Sequence, residues 1–269
     1  MKVTAIIPSL ANETTRAHLR LCVESLRKTV DWDIIVVTNG TKAPEPLNIH
    51  GVTKRLHTRD QGQCTATNIG AQGVNSDYLF IINDDMYFPP GWNENLRFDH
   101  PVFSPNLMEP TDNNGSAAPF IKVGGGYNIE DFKKGIVDAA TVIETSGNQG
   151  VEEPGFNLPF FIRKDLWDLL AGYDTAYDPW GSNSDTDLQT RINLAGVTPM
   201  RLRDVVVYDF SNKSGTFDGT HQDFYINNIE YFHDKFGFDR DELKSDVWYN
   251  KDMIPTDKSK IKLKVPKYE

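Results

Sequence analysis

The chain has 269 residues, somewhat many for one average domain and few for two complete ones, so one domain with a C-terminal elaboration is the expected organisation. A formal charge of −10 argues against a nucleic-acid surface, which needs a basic face, while 39% hydrophobic residues suffice for a packed core. Cys22 and Cys64 fit neither a disulfide framework nor a zinc spacing and read as buried free thiols. No apolar run approaches the roughly 18–20 residues of a membrane span, and Pro8 ends the short run Ala5–Ile7. The start therefore reads as a strand rather than a signal, and the expected location is the cytoplasm.

In chain order, Val3–Ile7 is a compact β-branched run expected to form a buried strand. Asn12 or Thr14 can cap a helix whose apolar stripe is Leu19, Cys22, Val23 and Leu26. Ile34–Val37 reads as a second strand closed by the turn pair Asn39-Gly40; a loop with Pro44 and Pro46 and a short strand near Val52–Leu56 follow. Gln63–Val74 is expected to be helical and Tyr78–Ile82 a third buried strand. This alternation predicts an α/β sheet with parallel pairs, whose ligands sit beyond the carboxyl ends of the strands.

From Pro101 to Gly150 the pattern loosens, with a short helical stretch near Ile129–Lys134 between Gly124-Gly125-Gly126 and Gly147-Asn148-Gln149-Gly150. The triple glycine lacks the spacing of a phosphate-binding fingerprint and reads as a turn. Beyond it lie an expected strand at Phe156–Ile162, helices at Lys164–Leu170 and Asp185–Ala195, a strand at Val205–Tyr208 and a helix at Phe224–Phe236. The tail alternates Lys258, Lys260, Lys262 and Lys264 with Ile261, Leu263 and Val265, as an edge strand or peripheral arm would.

The chemically loudest segment is Asn83-Asp84-Asp85, just past the third strand. Adjacent carboxylates at a strand mouth repel each other unless a positive group compensates, and a hard divalent cation such as Mg²⁺ or Mn²⁺ bridging a diphosphate answers that need.

Several motifs occur together in one order: Ala5-Ile-Ile-Pro8, Ile34-Ile-Val-Val37-Thr-Asn-Gly40, Asn68-Ile-Gly70, and Leu79-Phe-Ile-Ile-Asn-Asp-Asp85 with Pro90-Gly91-Trp92. Further on come Gly155–Arg163, Gly172-Tyr-Asp174, Asp185-Thr-Asp187-Leu-Gln-Thr-Arg191 and Tyr231-Phe232-His-Asp-Lys235-Phe236-Gly237. Together these resemble the inverting GT-A glycosyltransferases of family 2. The resemblance implies an α/β, Rossmann-like nucleotide-diphospho-sugar transferase fold with a mainly parallel central sheet. It implies one domain over residues 1–237, with a donor half at 1–100, an acceptor half at 101–237 and an extension at 238–269.

On that resemblance Asp85 binds the Mn²⁺ or Mg²⁺ ion, Asp84 lies near the donor ribose or the metal's water shell, and Asn83 stays behind them. Pro8, Asn39 and Asn68 fall among the expected donor contacts, although Thr38-Asn39 replaces the family's usual Asp-Asp. Asp185 matches the catalytic base, with Asp187 as the second candidate and Ser184 where the family usually has glutamate. The late metal ligand is Asp209 by position or His221 by residue type. Trp180 could stack on an acceptor sugar or simply pack in the core. The implied reaction moves a sugar from a UDP-, GDP- or dTDP-sugar to a glycan or other hydroxyl acceptor. A sugar-phosphate nucleotidyltransferase and a degenerate nucleotide- or carbohydrate-binding module remain alternatives. The first would want a Lys/Arg-bearing glycine loop after the first strand, where Pro8-Ser9-Leu10 stands instead.

Overall fold

A computed structural model describes residues 1–40, 49–59, 62–111, 120–211, 222–243 and 254–269. The loop carrying Pro44 and Pro46, and His221, lie outside the described residues. The elements are β1 (Val3–Ser9), α1 (Arg16–Thr29), β2 (Asp33–Asn39), β3 (Lys54–Thr58), α2 (Gln63–Ala71), β4 (Tyr78–Ile81), β5 (Met86–Tyr87), β6 (Val102–Pro110) and β7 (Ile121–Val123). They continue with α3 (Lys134–Gly147), β8 (Glu152–Pro154), β9 (Phe160–Arg163), α4 (Lys164–Leu169), α5 (Ser184–Leu194), β10 (Met200–Asp209) and α6 (Gln222–Phe236).

The described strands form one mixed sheet in the order β3-β2-β1-β4-β9-β6-β10-β5, with β7 on β6 and β8 on β10. β1 pairs in parallel with β2 and β4, and β6 with β10. β9 runs antiparallel to both β4 and β6, which leaves those two pointing the same way. The carboxyl ends of β1, β2, β4, β6 and β10 therefore share one edge.

Both faces of the sheet are covered, as runs such as Ala5-Ile6-Ile7 require. Ala5, Ile7, Ile34 and Val36 pack with Leu19, Cys22, Val23 and Leu26 of α1. Ile6, Leu79 and Ile81 face the other way, onto Cys64, Leu166, Leu188 and Ile192. Both cysteines are buried free thiols. Asn12 accepts from the Thr15 amide at 2.9 Å and so caps the turn that leads into α1. Trp92 donates from Nε1 to Thr29 Oγ1 at 2.8 Å, anchoring the Pro90-Gly91-Trp92 turn to the end of the same helix.

Two long elements depart most from the sequence reading, which also lacked the short strands β5, β7 and β8 and expected a strand from Phe156 where β9 begins at Phe160. Residues 102–110 form a nine-residue central strand, and residues 134–147 a fourteen-residue helix, where only a short helical stretch was expected. β6 contains Pro105 and Pro110, which argue against a central strand because proline donates nothing to a ladder. Pairing with β9 involves only Val102 and Phe103, and the register with β10 slips between Leu202 and Val206, beside Pro105 and Asn106. α3 is rich in β-branched residues and poor in helix formers; it is held by Val137, Thr141 and Thr145, buried at a four-residue spacing. The tail joins no sheet among the described residues. It lies as an arm across the domain, with Lys262 N bonded to Phe236 O at 2.7 Å and Tyr268 N to Ala195 O at 2.9 Å. No helix among the described residues is long and apolar enough to cross a membrane.

α2 approaches the sheet closely because Gly70 has no side chain. A Cβ there would lie 2.6 Å from Ile6 Cγ2 and 3.0 Å from Val37 Cγ2. Gly70→Ala is expected to lower stability by about 1–3 kcal/mol, the usual range for overpacking. A urea midpoint equal to that of the parent chain would show that α2 can lift away without cost.

Candidate active site

Three aspartates meet at the shared carboxyl edge. Asp84 and Asp85 follow β4 and are both buried. Asp209 ends β10 opposite Met86 of β5, and Phe210 N donates to Asp85 O at 3.1 Å, so the two segments are laced together by backbone. Ser9, the last residue of β1, donates its hydroxyl to Asp84 Oδ2 and accepts from Ala11 N at 3.0 Å.

The electrostatic burden is large. Burial, then the charge of Asp85, pushes Asp84 up to about 7 despite the Ser9 hydrogen bond. Burial and Asp85 likewise hold Asp209 well above the usual carboxylate range. Three crowded oxygen-bearing side chains are what a hard divalent cation takes as ligands. Among the described residues, however, no group of three or more His, Cys, Asp or Glu side chains is placed to hold a metal ion by itself. The donor set thus fits a cation that draws its remaining oxygens from elsewhere.

Asn83 faces another neighbour: Gln63 Nε2 donates to its Oδ1 at 3.3 Å. Gln63 opens α2 and also lies beside Gly181. The amino end of α2 is capped across the fold by Asp178, which accepts from Cys64 N at 3.1 Å, Thr65 N at 2.8 Å and Thr65 Oγ1 at 2.6 Å. Gly62, at φ +140°, lies so close to this carboxylate that a Cβ would fall 2.1 Å from it. The triplet, α2 and the segment leading to α5 are thereby brought side by side.

Asn39 ends β2 near the same edge. Its Nδ2 donates to Gly62 O at 2.9 Å, while its buried Oδ1 has no hydrogen-bond partner. Thr38 is engaged by Leu56 O at 3.2 Å and lies 3.1 Å from His57 Nδ1. Pro8 is buried in β1, paired in register with Val37. Asn68 is differently employed: its Nδ2 donates to Tyr173 O at 2.8 Å and its Oδ1 accepts from Tyr173 N at 2.9 Å.

The two aspartates opening α5 have opposite surroundings. Asp187 is fully buried, bonded to Arg191 Nε at 2.6 Å, Lys235 Nζ at 2.5 Å and Tyr177 OH at 3.2 Å. Lys235 also reaches Asp174 at 2.6 Å, so the residues of the Tyr231–Gly237 motif anchor α6 to α5. Asp185 is only half-buried, and its one hydrogen bond among the described residues comes from Tyr173 OH, 2.7 Å from Oδ1. Burial pushes it up to about 6, against the Tyr173 hydrogen bond, which pulls it down. A carboxylate near neutrality with an uncommitted oxygen suits proton transfer; one locked between two cations does not. Trp180 is half-buried, edge-on to Phe224 at 6.4 Å.

The sequence reading did not single out Ser9, Gln63, Tyr173 or Asp178. Ser9 was findable, since it directly ends a strand at the ligand edge. The other three make contacts between residues 12 to 114 positions apart, where periodicity carries no signal.

A doubly covered sheet with carboxylates at the β4 and β10 ends is the GT-A glycosyltransferase architecture, as the resemblance implied. Residues 4–97 match the family model for glycosyl transferase family 2. The fold is similar to residues 1–349 of S. aureus TarS in complex with UDP-GlcNAc, with TM-score 0.54, 13% identity and coverage of 92% of this chain and 68% of that one. It is also similar to the mannosyltransferase PcManGT from Pyrobaculum calidifontis with GDP-Man and Mn²⁺ (TM-score 0.52, 13% identity, 82% of this chain and 59% of that one). A third likeness is GalNAc-T7 with UDP, GalNAc and Mn²⁺, at TM-score 0.52 and 14% identity over 78% of this chain and 44% of that one. The chain thus spans 44–68% of these structures, and 60% of a second TarS structure. No curated protein sequence matches it.

The contrast between the α5 aspartates predicts opposite stability effects. Asp187→Ala leaves Arg191 and Lys235 without their shared partner and is expected to cost about 3–5 kcal/mol in urea unfolding. Asp185→Asn is expected to leave stability at pH 8 equal or higher, because a carboxylate with a raised pKa is costly when ionised. Equal destabilisation by both would mean that Asp185 also carries structural load.

Proposed function

We propose that the protein is an inverting, metal-dependent glycosyltransferase that moves a sugar from a nucleotide-diphosphate sugar to an acceptor hydroxyl. The observation that carries this reading is the division of labour around one edge: crowded carboxylates at Asp84, Asp85 and Asp209, and a separate near-neutral carboxylate at Asp185. Solved neighbours bound to UDP-GlcNAc, to GDP-Man with Mn²⁺, and to UDP, GalNAc and Mn²⁺ support a nucleotide-sugar donor.

In this reading Asp85 and Asp209 would hold Mn²⁺ or Mg²⁺, with His221 the remaining candidate from the sequence. When bound, such a cation supplies positive charge to the leaving diphosphate. Ser9 orients Asp84 towards the donor side, and the open Oδ1 of Asn39 accepts from a donor group of the nucleoside. Asp185 takes the acceptor proton as the acceptor oxygen bonds to the anomeric carbon. The bond from that carbon to the diphosphate oxygen breaks on the opposite face, and the nucleoside diphosphate departs. The acceptor is a glycan or another hydroxyl compound. Reducing conditions suit the two buried thiols, so the proposed location is the cytoplasm.

The test is a screen of UDP-, GDP- and dTDP-sugars with Mn²⁺ or Mg²⁺, reading nucleoside diphosphate release and the anomeric configuration of the product. Release with inversion is the expected result. Binding of a nucleoside diphosphate without turnover on any acceptor would favour a binding module instead. Asp85→Asn is expected to abolish metal-dependent binding, and of Asp209→Ala and His221→Ala only one should weaken it.

Asp185→Asn should lower turnover about 10²-fold or more while donor affinity persists. Asp185 is protonated below its pKa of about 6 and cannot then accept a proton. Transfer should therefore rise with pH through about 6 and level off above it. A pH-independent rate between 5 and 8 would remove Asp185 from the mechanism.

A further inference from the structure

We propose that Tyr173 is the positioning residue of the base: Asn68 clasps its backbone, and its hydroxyl holds one oxygen of Asp185 so that the other alone meets the acceptor. This rests on the reading of Asp185 as base and adds to it a device joining the donor-side helix α2 to the acceptor-side helix α5.

The geometry is continuous. Asn68 lies on α2 and makes a two-point contact with a single peptide unit's neighbours, N and O of Tyr173, at 2.9 and 2.8 Å. The residue before Tyr173 must be glycine for this clasp to close. Gly172 has φ +69°, and a Cβ there would lie 2.3 Å from Asn68 Oδ1 and 2.9 Å from Trp167. The Tyr173 ring is buried, edge-on to Trp167 at 5.7 Å, so little freedom remains about its side chain. Its hydroxyl then meets Asp185 Oδ1 at 2.7 Å. α2 is itself fixed at its amino end by Asp178, so the clasp starts from a held helix.

The hydroxyl stays a donor throughout the working pH range, because burial and then Asp185 push Tyr173 well above its ordinary value. The other titratable groups around Asp185 do not replace it. The Cys64 thiol on α2 is pushed up by burial and remains neutral. Arg191 and Lys235 are bound to Asp187, and Asp178 caps α2. A hydrogen bond donated to a carboxylate favours its charged form, so Tyr173 both aims the base and keeps it ionised at lower pH.

Tyr173→Phe keeps the ring and removes only the hydroxyl. Measured at saturating donor, kcat is expected to fall roughly tenfold, while calorimetric affinity for a nucleoside diphosphate with Mn²⁺ is unchanged. The midpoint of the acid limb should rise by about one pH unit. A packing role alone would leave that midpoint in place. Asn68→Ser should lower kcat without weakening nucleoside diphosphate binding; weakened binding would return Asn68 to the donor contacts. If Asp185→Asn is inactive yet Tyr173→Phe keeps the parent kcat and acid limb, the positioning role is wrong and the base reading stands. Turnover retained in Asp185→Asn overturns both.

Discussion

The buried carboxylate of Asp187 is the constraint on which the packing of α5 and α6 depends. A carboxylate with no exposure to water must be paired, and here Arg191, Lys235 and Tyr177 all converge on it. Buried ion pairs add little net stability over apolar packing of equal volume; their effect is to permit one arrangement and penalise others. In this chain they fix the start of α5 against α6 and against the turn at Tyr177. Asp185, two residues earlier on the same helix, is then turned away from those cations. Burial raises its proton affinity, while Arg191 and Lys235 are bonded to Asp187 instead.

The carboxyl edge of the sheet is arranged on the opposite principle. Asp84, Asp85 and Asp209 are crowded together, and burial, then the charge of Asp85, raises the proton affinities of Asp84 and Asp209. Such an edge is costly to the folded chain and is eased by whatever positive charge binds there. The backbone bond from Phe210 to Asp85 and the short β5–β10 ladder keep the segments from separating to relieve the repulsion. Local strain of this kind is expected at a functional site and is balanced by the packed strands beneath it.

Between the two edges stands α2. Its amino end is capped by Asp178 from the segment before α5, its middle is pressed onto β1 and β2 at Gly70, and its Asn68 reaches Tyr173. Asn39, at the end of β2, bonds the carbonyl of Gly62 just before it. A short helix, with the glycine before it, thus meets Asn83, Asn39, Asp178 and Tyr173. Its position, more than its composition, links the carboxyl edge of the sheet to the start of α5.

Much of this was legible in the sequence. The compact β-branched runs of β1, β2 and β4, the stripe of α1 and the paired carboxylates at Asp84-Asp85 each announce themselves locally, because strand burial, helix periodicity and charge crowding act within a few residues. The order of those motifs was enough for the GT-A architecture. β6 and α3 were hidden, since their prolines and β-branched residues contradict local propensity and only packing against β10 overrides it. Resemblance put Asp185 ahead of Asp187, but the opposite surroundings of the two were hidden. The sequence shows two aspartates two positions apart; which one is quenched depends on Arg191, one turn on, and on Lys235, 48 residues away. Tertiary structure alone decides that, because a carboxylate's proton affinity is set by the charges and solvent around it rather than by its place in the chain.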